Sequence, residues 1–444
     1  LLGIPFDPSQ AIGRACPCRR EVSGLLLVWT LLLALMPGPA IADESPPSPA
    51  ARTDEARSSR DGESATGPAS TSEEGPDAET DANPDGEDET EAPDAPRLEI
   101  LGSPIEPESR QQLFLRISES FVGALIETPV LVVAGREPGP TLCVVAGIHG
   151  DEINGVEIVR RMILDLDEKN LRGIVIAVPI ANLAAFRRGS RYLPDRRDLN
   201  RYFPGRAFGS SASRIAHGLF SEVIRHCDGV VDLHTGSFYR TNLHQLRADV
   251  TDDATAALAQ DYGAEVIVNS VGRPGTLRRA ATDAGIPAIT VEAGEPSRFD
   301  RAQVEVALEG LDRLLAARGM LLGENMRATP SKTTAYLRTS WVRCDQGGIL
   351  VSQVHLGDEV SAGQVLGTIA DPLSGEIEEI VTPFSGRVIG MALDQLVMPG
   401  FAAYHVGLNP RALGAAPEAV IQSTPATEPP IEDPEGLELE ERPE

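Results

Sequence analysis

The chain predicts an α/β domain with a mostly parallel central sheet flanked by helices, followed by a small all-β, barrel-like domain. Three observations carry this. From about residue 98 to 332, short apolar, β-branched runs alternate with segments of helical period. Several of those runs are apolar without alternation, the pattern of strands buried on both faces. From Thr333 the helical period disappears, and short strands recur between Gly-containing turns.

Val130 to Ala134 and Thr141 to Ala146 are the first strands. A helix over Asn154 to Leu166 places Val156, Val159, Ile163 and Leu166 at helical spacing. Gly173 to Pro179 is a buried strand, and Ser213 to Arg225 a helix with Ile215, Leu219 and Val223 on one face. Gly229 to Leu233 is a strand that ends at His234. Ala254 to Tyr262 follows as helix, Glu265 to Asn269 as strand, Ala288 to Glu292 as strand, and Arg301 to Arg318 as an amphipathic helix. In the second domain, 333–409, strands fall at Gly348 to Val354, Gly357 to Val360, Gly363 to Leu366, Glu378 to Val381, Gly386 to Met391 and Val397 to Val406.

The flanks read differently. Residues 43–97 are rich in Pro, Asp, Glu, Ser, Thr, Ala and Gly and nearly lack large apolar side chains. Such a segment cannot bury enough surface to offset its ordering entropy, so it is expected to be disordered, and 410–444 reads the same way. The net charge of −27 is concentrated there, with roughly −14 in 43–96 and roughly −7 in 410–444. No basic stripe interleaved with aromatics occurs, so no nucleic-acid partner is expected. Residues 1–42 have the pattern of an export signal. Arg14, Arg19 and Arg20 precede the apolar run Leu25 to Met36, which is short for a membrane span, and Ala40-Ile41-Ala42 supplies an A-x-A cleavage signature. The expectation is a periplasmic protein with no stable span after cleavage. Cys16 and Cys18 would leave with the signal. The remaining Cys143, Cys227 and Cys344 are too few for a thiolate zinc site. Cys143 is most simply a core residue; the sequence does not show which pair, if any, forms a disulfide.

Three strand ends carry chemistry. Gly147-Ile148-His149-Gly150-Asp151-Glu152 supplies His149 and Glu152, three residues apart at a strand-to-helix junction. Asp232-Leu233-His234-Thr235-Gly236 supplies a second imidazole, and Val291-Glu292-Ala293-Gly294 an acid behind an apolar run. Two His and one Glu form the ligand set of an open catalytic zinc site. A further Glu that is not a ligand can take a proton from water there. Asp151 is placed to orient a ligand from behind. Strand C-terminal ends are where open α/β sheets bind ligands. His217, His226, His244, His355 and His405 lack such contexts. Asp198-Leu199-Asn200-Arg201 follows the basic segment Arg187-Arg188-Gly189-Ser190-Arg191, and this Arg density in an acidic protein reads as an anion site.

These four motifs, Gly-x-His-Gly-Asp-Glu, Asp-Leu-Asn-Arg, Asp-Leu-His-Thr-Gly and Val-Glu-x-Gly, in this order, resemble the succinylglutamate desuccinylase/aspartoacylase family over roughly Leu98 to Val406. The resemblance implies the zinc carboxypeptidase fold, one Zn2+ per chain on His149, Glu152 and His234, and Glu292 as catalytic acid/base. It implies that Asn200 and Arg201 grip a substrate carboxylate and that an upstream Arg polarises the scissile carbonyl. Arg191 fits that description, with Arg196 or Arg197 as alternatives, and Arg278 is a further substrate-side candidate. The implied activity is deacylation of an N-acylated amino acid. Two other readings stay open: a zinc carboxypeptidase on peptides or cell-wall fragments, and a catalytically silent binding protein. A homo-oligomer is also left open.

The second domain has its own likeness. Gly357-Asp358-x-Val360-x-x-Gly363-Gln364-x-Leu366 and Thr382-Pro383-Phe384-Ser385-Gly386-x-Val388 resemble a biotinyl/lipoyl-type barrel. In carriers of that type the intervening hairpin bears a modified Lys. Here it is Asp371-Pro372-Leu373-Ser374-Gly375, and no Lys follows Lys332, so a carrier role is excluded. A lid or wall is the expected use.

Overall fold

The computed structural model describes residues 98–119, 125–322 and 333–412. The expected export signal and acidic linker, and all but the first residues of the acidic tail, lie outside the described residues. Among the described residues, no helix is long and apolar enough to cross a membrane.

In chain order the elements are β1 (Glu99–Ile100), β2 (Ser103–Pro104), β3 (Ser109–Glu119), β4 (Leu125–Ala134), β5 (Glu137–Val145), α1 (Ile153–Asp165), β6 (Arg172–Val178), α2 (Leu183–Phe186), α3 (Ser211–Glu222), β7 (Gly229–His234), β8 (Arg240–Ala248), α4 (Asp253–Tyr262), β9 (Val266–Asn269), α5 (Leu277–Asp283), β10 (Ala288–Gly294) and α6 (Arg301–Ala317). There follow β11 (Thr334–Arg343), β12 (Gly348–Ser352), β13 (Glu359–Val360), β14 (Val365–Ala370), β15 (Ile377–Val381), β16 (Gly386–Ala392), β17 (Leu396–Val397) and β18 (Ala402–Ala412).

The sheet is mixed rather than mostly parallel. Its order is β13-β16-β18-β11-β9-β8-β10-β7-β5-β6-β4-β3. The β10-β7-β5-β6 stretch is parallel, whereas β8 runs antiparallel to β10 and β4 antiparallel to β6. Connection length explains both reversals. Only residues 235–239 separate β7 from β8, and only 135–136 separate β4 from β5. A parallel return needs a crossover of a dozen or more residues. Alternate residues of β5 enter different cores, Leu142 and Val144 with α1 and α6, Cys143 and Val145 with α3 and α5. Period-two alternation between two apolar cores is why the run reads as apolar throughout.

Four of the C-terminal strands, β11, β13, β16 and β18, join the catalytic sheet. β11 pairs parallel with β9, and β16 pairs with β8, so β16, β18, β11, β9 and β8 close into a five-stranded ring. A second sheet, β15-β14-β12-β17, covers a smaller core that contains Leu350, Leu366 and Tyr404.

Cys143 and Cys227 are joined in a disulfide across 84 residues, and Cys344 is free and buried. Cys143 is therefore a cross-linked core residue. The bond ties β5 to the turn before β7, the two strands that lead to His149 and His234. Closing a loop of that length constrains the unfolded chain by roughly 4.5 kcal/mol. Cys227→Ser is expected to lower unfolding free energy by about 2–5 kcal/mol, read as the urea midpoint with and without reductant. A midpoint insensitive to both would show that the bond does not form.

Candidate metal centre and active site

Backbone geometry presents the first two polar groups. After β5 the chain turns at Gly147, where φ is +64°, and His149 follows. A Cβ on Gly150 would lie 2.1 Å from the Ala185 backbone, so only glycine lets this loop pass α2. Glu152 is the N-cap residue of α1 and turns its carboxylate back toward His149. β7 ends at His234, and β10 places Glu292 beside it in parallel register. Asn154 pins this corner together: its Nδ2 donates to Ala293 O at 2.9 Å, and its Oδ1 accepts from Asp300 N at 2.9 Å.

His149, Glu152 and His234 converge, all three buried, as a group that could hold a metal ion. His149 Nδ1 lies 2.8 Å from Glu152 Oε1, His234 Nδ1 lies 2.8 Å from Glu152 Oε2, and the two Nδ1 atoms are 3.2 Å apart. Ligand atoms about 2.0–2.1 Å from a tetrahedral zinc stand roughly 3.3 Å from one another, so this donor set fits zinc. The outer nitrogens face carboxylates: His149 Nε2 is 3.0 Å from Asp198 Oδ1, and His234 Nε2 is 3.0 Å from Asp232 Oδ2. The Asp198 hydrogen bond orients the His149 ring and directs its Nδ1 inward, while Asp232 faces His234 as an ion-pair neighbour. Asp151 does not take this part. Its Oδ1 is buried without a hydrogen-bond partner, and burial raises its pKa.

Charge in the site is tightly coupled. Burial opposes a charge on His234, but Asp232 and Glu152 outweigh it and hold the imidazole well above its ordinary value. Burial and Arg191 oppose His149, and Glu152 and Asp198 again prevail. Burial likewise opposes charge on Glu152 and Asp198, but the adjacent cations keep both ionised to below the usual carboxylate range.

Arg191 is buried against this cluster. Its Nη2 donates to Asp198 Oδ2 at 3.0 Å, its Nη1 lies 3.3 Å from Glu152 Oε1, and Phe238 covers it at 5.4 Å. Arg196 is exposed, and Arg197 pairs with Asp195 at 2.8 Å, so neither alternative is brought to the cluster. A cavity of about 330 Å³ opens on His149, Glu152 and His234, its wall carrying Arg191, Asn200, Arg247, Arg273, Arg278 and Glu292.

Asn200 and Arg201 part company. Asn200 is buried at the cavity and accepts from Leu277 N at 2.9 Å, whereas Arg201 is not among the lining residues and donates Nη1 to Asn200 O. Leu199–Arg201 form one 3-10 turn. With three residues per turn, neighbouring side chains diverge by about 120°, so one faces the cavity and the next does not.

Arg278 is buried. Its Nε donates to Thr290 Oγ1 at 3.2 Å, and both Nη atoms reach Ser270. Burial first, then repulsion from Arg247, pushes its pKa down to about 10. The sequence reading missed Arg247 and Asn242. Arg247 Nε lies 2.9 Å from Glu292 Oε1, and Asn242 Nδ2 donates to Glu292 Oε2 at 3.2 Å. Both sit on β8, whose Arg-Thr-Asn-Leu-His-Gln-Leu-Arg sequence has neither a clean alternation nor an apolar run.

Comparison with known proteins agrees with this architecture. Residues 138–318 match the succinylglutamate desuccinylase/aspartoacylase catalytic domain. The chain is 30% identical over 282 residues to the N-alpha-acetyl-L-2,4-diaminobutyric acid deacetylase of Halomonas elongata, covering 60% of this chain and 81% of that protein. It is 32% identical over 212 residues to a succinylglutamate desuccinylase of Pseudomonas aeruginosa, covering 44% of this chain and 61% of that one. The product-bound structure of the ectoine utilization protein EutE (DoeB) from Ruegeria pomeroyi superposes with a TM-score of 0.63 at 25% identity, over 69% of this chain and 97% of that one. The chain belongs to the succinylglutamate desuccinylase/aspartoacylase family.

Proposed function

We propose that this protein is an exported, zinc-dependent deacylase that hydrolyses the amide bond of a small, carboxylate-bearing N-acyl amino acid. The observation that carries the reading is the His149, Glu152 and His234 cluster opening on a cavity of about 330 Å³ whose wall carries Glu292 and several guanidinium groups. His149, Glu152 and His234 would hold the zinc, which supplies a Lewis acid that lowers the pKa of water and polarises a carbonyl. Glu292 takes a proton from the attacking water and returns it to the leaving amine nitrogen. Arg191 donates toward the oxyanion that develops on the scissile carbonyl. Arg247, Arg273 and Arg278 make the wall anion-selective, and Asn200 offers an amide to the substrate carboxylate.

The cavity lies at the small end of the range for ligand sites, which favours an acyl amino acid over a peptide. N-α-Acetyl-L-2,4-diaminobutyrate and N-succinyl-L-glutamate, the substrates named by the relatives, head the panel to assay beside short peptides. Turnover of peptides alone would transfer the reading to a carboxypeptidase, and zinc binding without any turnover would favour a binding protein. Two features support export: the leader pattern of residues 1–42 and the Cys143–Cys227 disulfide, a bond that persists in oxidising compartments.

Zinc uptake is expected to release protons. The metal-free site holds both imidazoles protonated above their ordinary value of 6.5, and ligation requires their neutral forms. Apparent zinc affinity therefore rises with pH up to the raised imidazole values. Stability of the metal-free protein has the opposite sign: the imidazole contribution is fully present below about 6.5 and is lost as pH rises through the raised values. Calorimetric zinc titration in buffers of different ionisation enthalpy reads the proton count. A titration independent of buffer and pH would contradict the charge state assigned here.

A further inference from the structure

We propose that Asn242 is a positioning residue for Glu292, and that the C-terminal β unit holds it there through Gly390. This rests on the acid/base reading of Glu292 above.

Asn242 is buried, and its Nδ2 donates to Glu292 Oε2 at 3.2 Å. Arg247, five residues further along β8, meets the other oxygen of the same carboxylate at 2.9 Å. In a regular strand, residues an odd number apart face opposite sides of the sheet. The register between β8 and β10 explains why both reach Glu292. Glu292 pairs with Gln245 and Gly294 with Asn242, so three steps on β8 match two on β10. A bulge of this kind re-aims side chains next to active sites. It turns two opposite-facing residues into the two prongs of one clamp.

The clamp's outer side is built by the second domain. β16 runs antiparallel to β8 with Gly390 directly opposite Asn242. A carboxylate only accepts, so the Asn242 amide nitrogen faces Glu292 and its oxygen faces Gly390. A Cβ on Gly390 would lie 2.5 Å from Asn242 Oδ1. Any residue but glycine there displaces the amide. The register of β16 against β18 also shifts between Val388 and Gly390. Next to this contact, buried Arg240 donates Nε to Ala402 O at 2.8 Å and lies over the Phe401 ring at 4.3 Å, which fastens β8 to the β unit. The β unit is therefore a buttress of the catalytic acid.

The test is a set of Asn242→Ala, Gly390→Ala, their double variant and Glu292→Gln, assayed on the fastest substrate of the panel above. Loss of one hydrogen bond to a charged group is expected to lower kcat about 10- to 100-fold, with KM and zinc content near the parent. Because Gly390 acts through Asn242, the double variant should be no slower than Asn242→Ala alone. Asn242→Asp keeps the shape but removes the donor, and should match or exceed the loss of Asn242→Ala; it serves where Gly390→Ala does not fold. A crystal structure of Gly390→Ala asks the same question without turnover, and the Asn242 amide is expected out of hydrogen-bond reach of Glu292. Parental kcat in Asn242→Ala, losses that multiply in the double variant, or an unmoved amide would each overturn the proposal. An active Glu292→Gln would sink the acid/base reading itself, whereas an inactive Glu292→Gln beside a parental Asn242→Ala would sink only this inference.

Discussion

Glu292→Gln is expected to bind zinc as the parent does and to lose roughly 10²- to 10⁴-fold in kcat. The substitution keeps shape and volume and removes the ability to accept a proton from water. Glu292 is not one of the three clustered donors, so its loss leaves the metal set intact. Asn242 donates to Oε2 of this carboxylate at 3.2 Å, and Arg247 stands as its ion-pair partner 2.9 Å from Oε1. In the glutamine variant one of these two groups would face an amide N–H and lose its acceptor, so a small stability loss should accompany the loss of rate. Zinc content by elemental analysis, measured beside initial rates, decides the matter. A variant that turns over near the parental rate would move the base elsewhere, and one that loses zinc would make Glu292 part of the metal set.

His149→Ala should lose both zinc and turnover. It removes one of three protein ligands and leaves the Glu152 and Asp198 carboxylates buried without their imidazole. Glu152 keeps His234 and Asp198 keeps Arg191 as charged neighbours, so the melting temperature of the metal-free state is expected to fall only moderately. Asp232→Asn should behave differently. The change weakens the contact 3.0 Å from His234 Nε2 but leaves all three ligands in place. Zinc affinity is then expected to fall about 10- to 100-fold, with activity restored by added metal. If His149→Ala kept stoichiometric zinc, the ligand set would be wrong. If Asp232→Asn bound zinc as the parent does, the part given to that carboxylate would fall.

The strands and the chemistry at their ends were legible because each depends on local sequence. The apolar runs before His149, His234 and Glu292 mark buried strands; β7 ends at His234, whereas β5 ends at Val145 and β10 runs on to Gly294. Parallel neighbours then bring those ends to one edge of the sheet, and the three donors meet there. Asn200 was legible from its motif, but its separation from Arg201 was not, since a motif does not show which way a single tight turn sends successive side chains. The carboxylates behind the two imidazoles were also hidden. Asp198 is far from His149 in sequence, and only folding sets it 3.0 Å from the ring.

By itself, the sequence determined the alternation of buried strands and amphipathic helices in the catalytic domain, the polar residues that follow the central apolar runs, and the absence of a Lys from the hairpin of the β unit; β3, β8, α5 and β11 were not read from it. Tertiary structure decided strand direction, the pairing of Cys143 with Cys227, and the joining of the C-terminal strands to the catalytic sheet. It also decided that β8 supplies Glu292 with both an amide donor, Asn242, and an ion-pair partner, Arg247. Hydrophobic periodicity reports which face of a segment is buried, but it carries no information about which neighbour buries it. A bulge that adds one residue to a ladder leaves no mark on composition, yet it reverses the facing of every side chain beyond it.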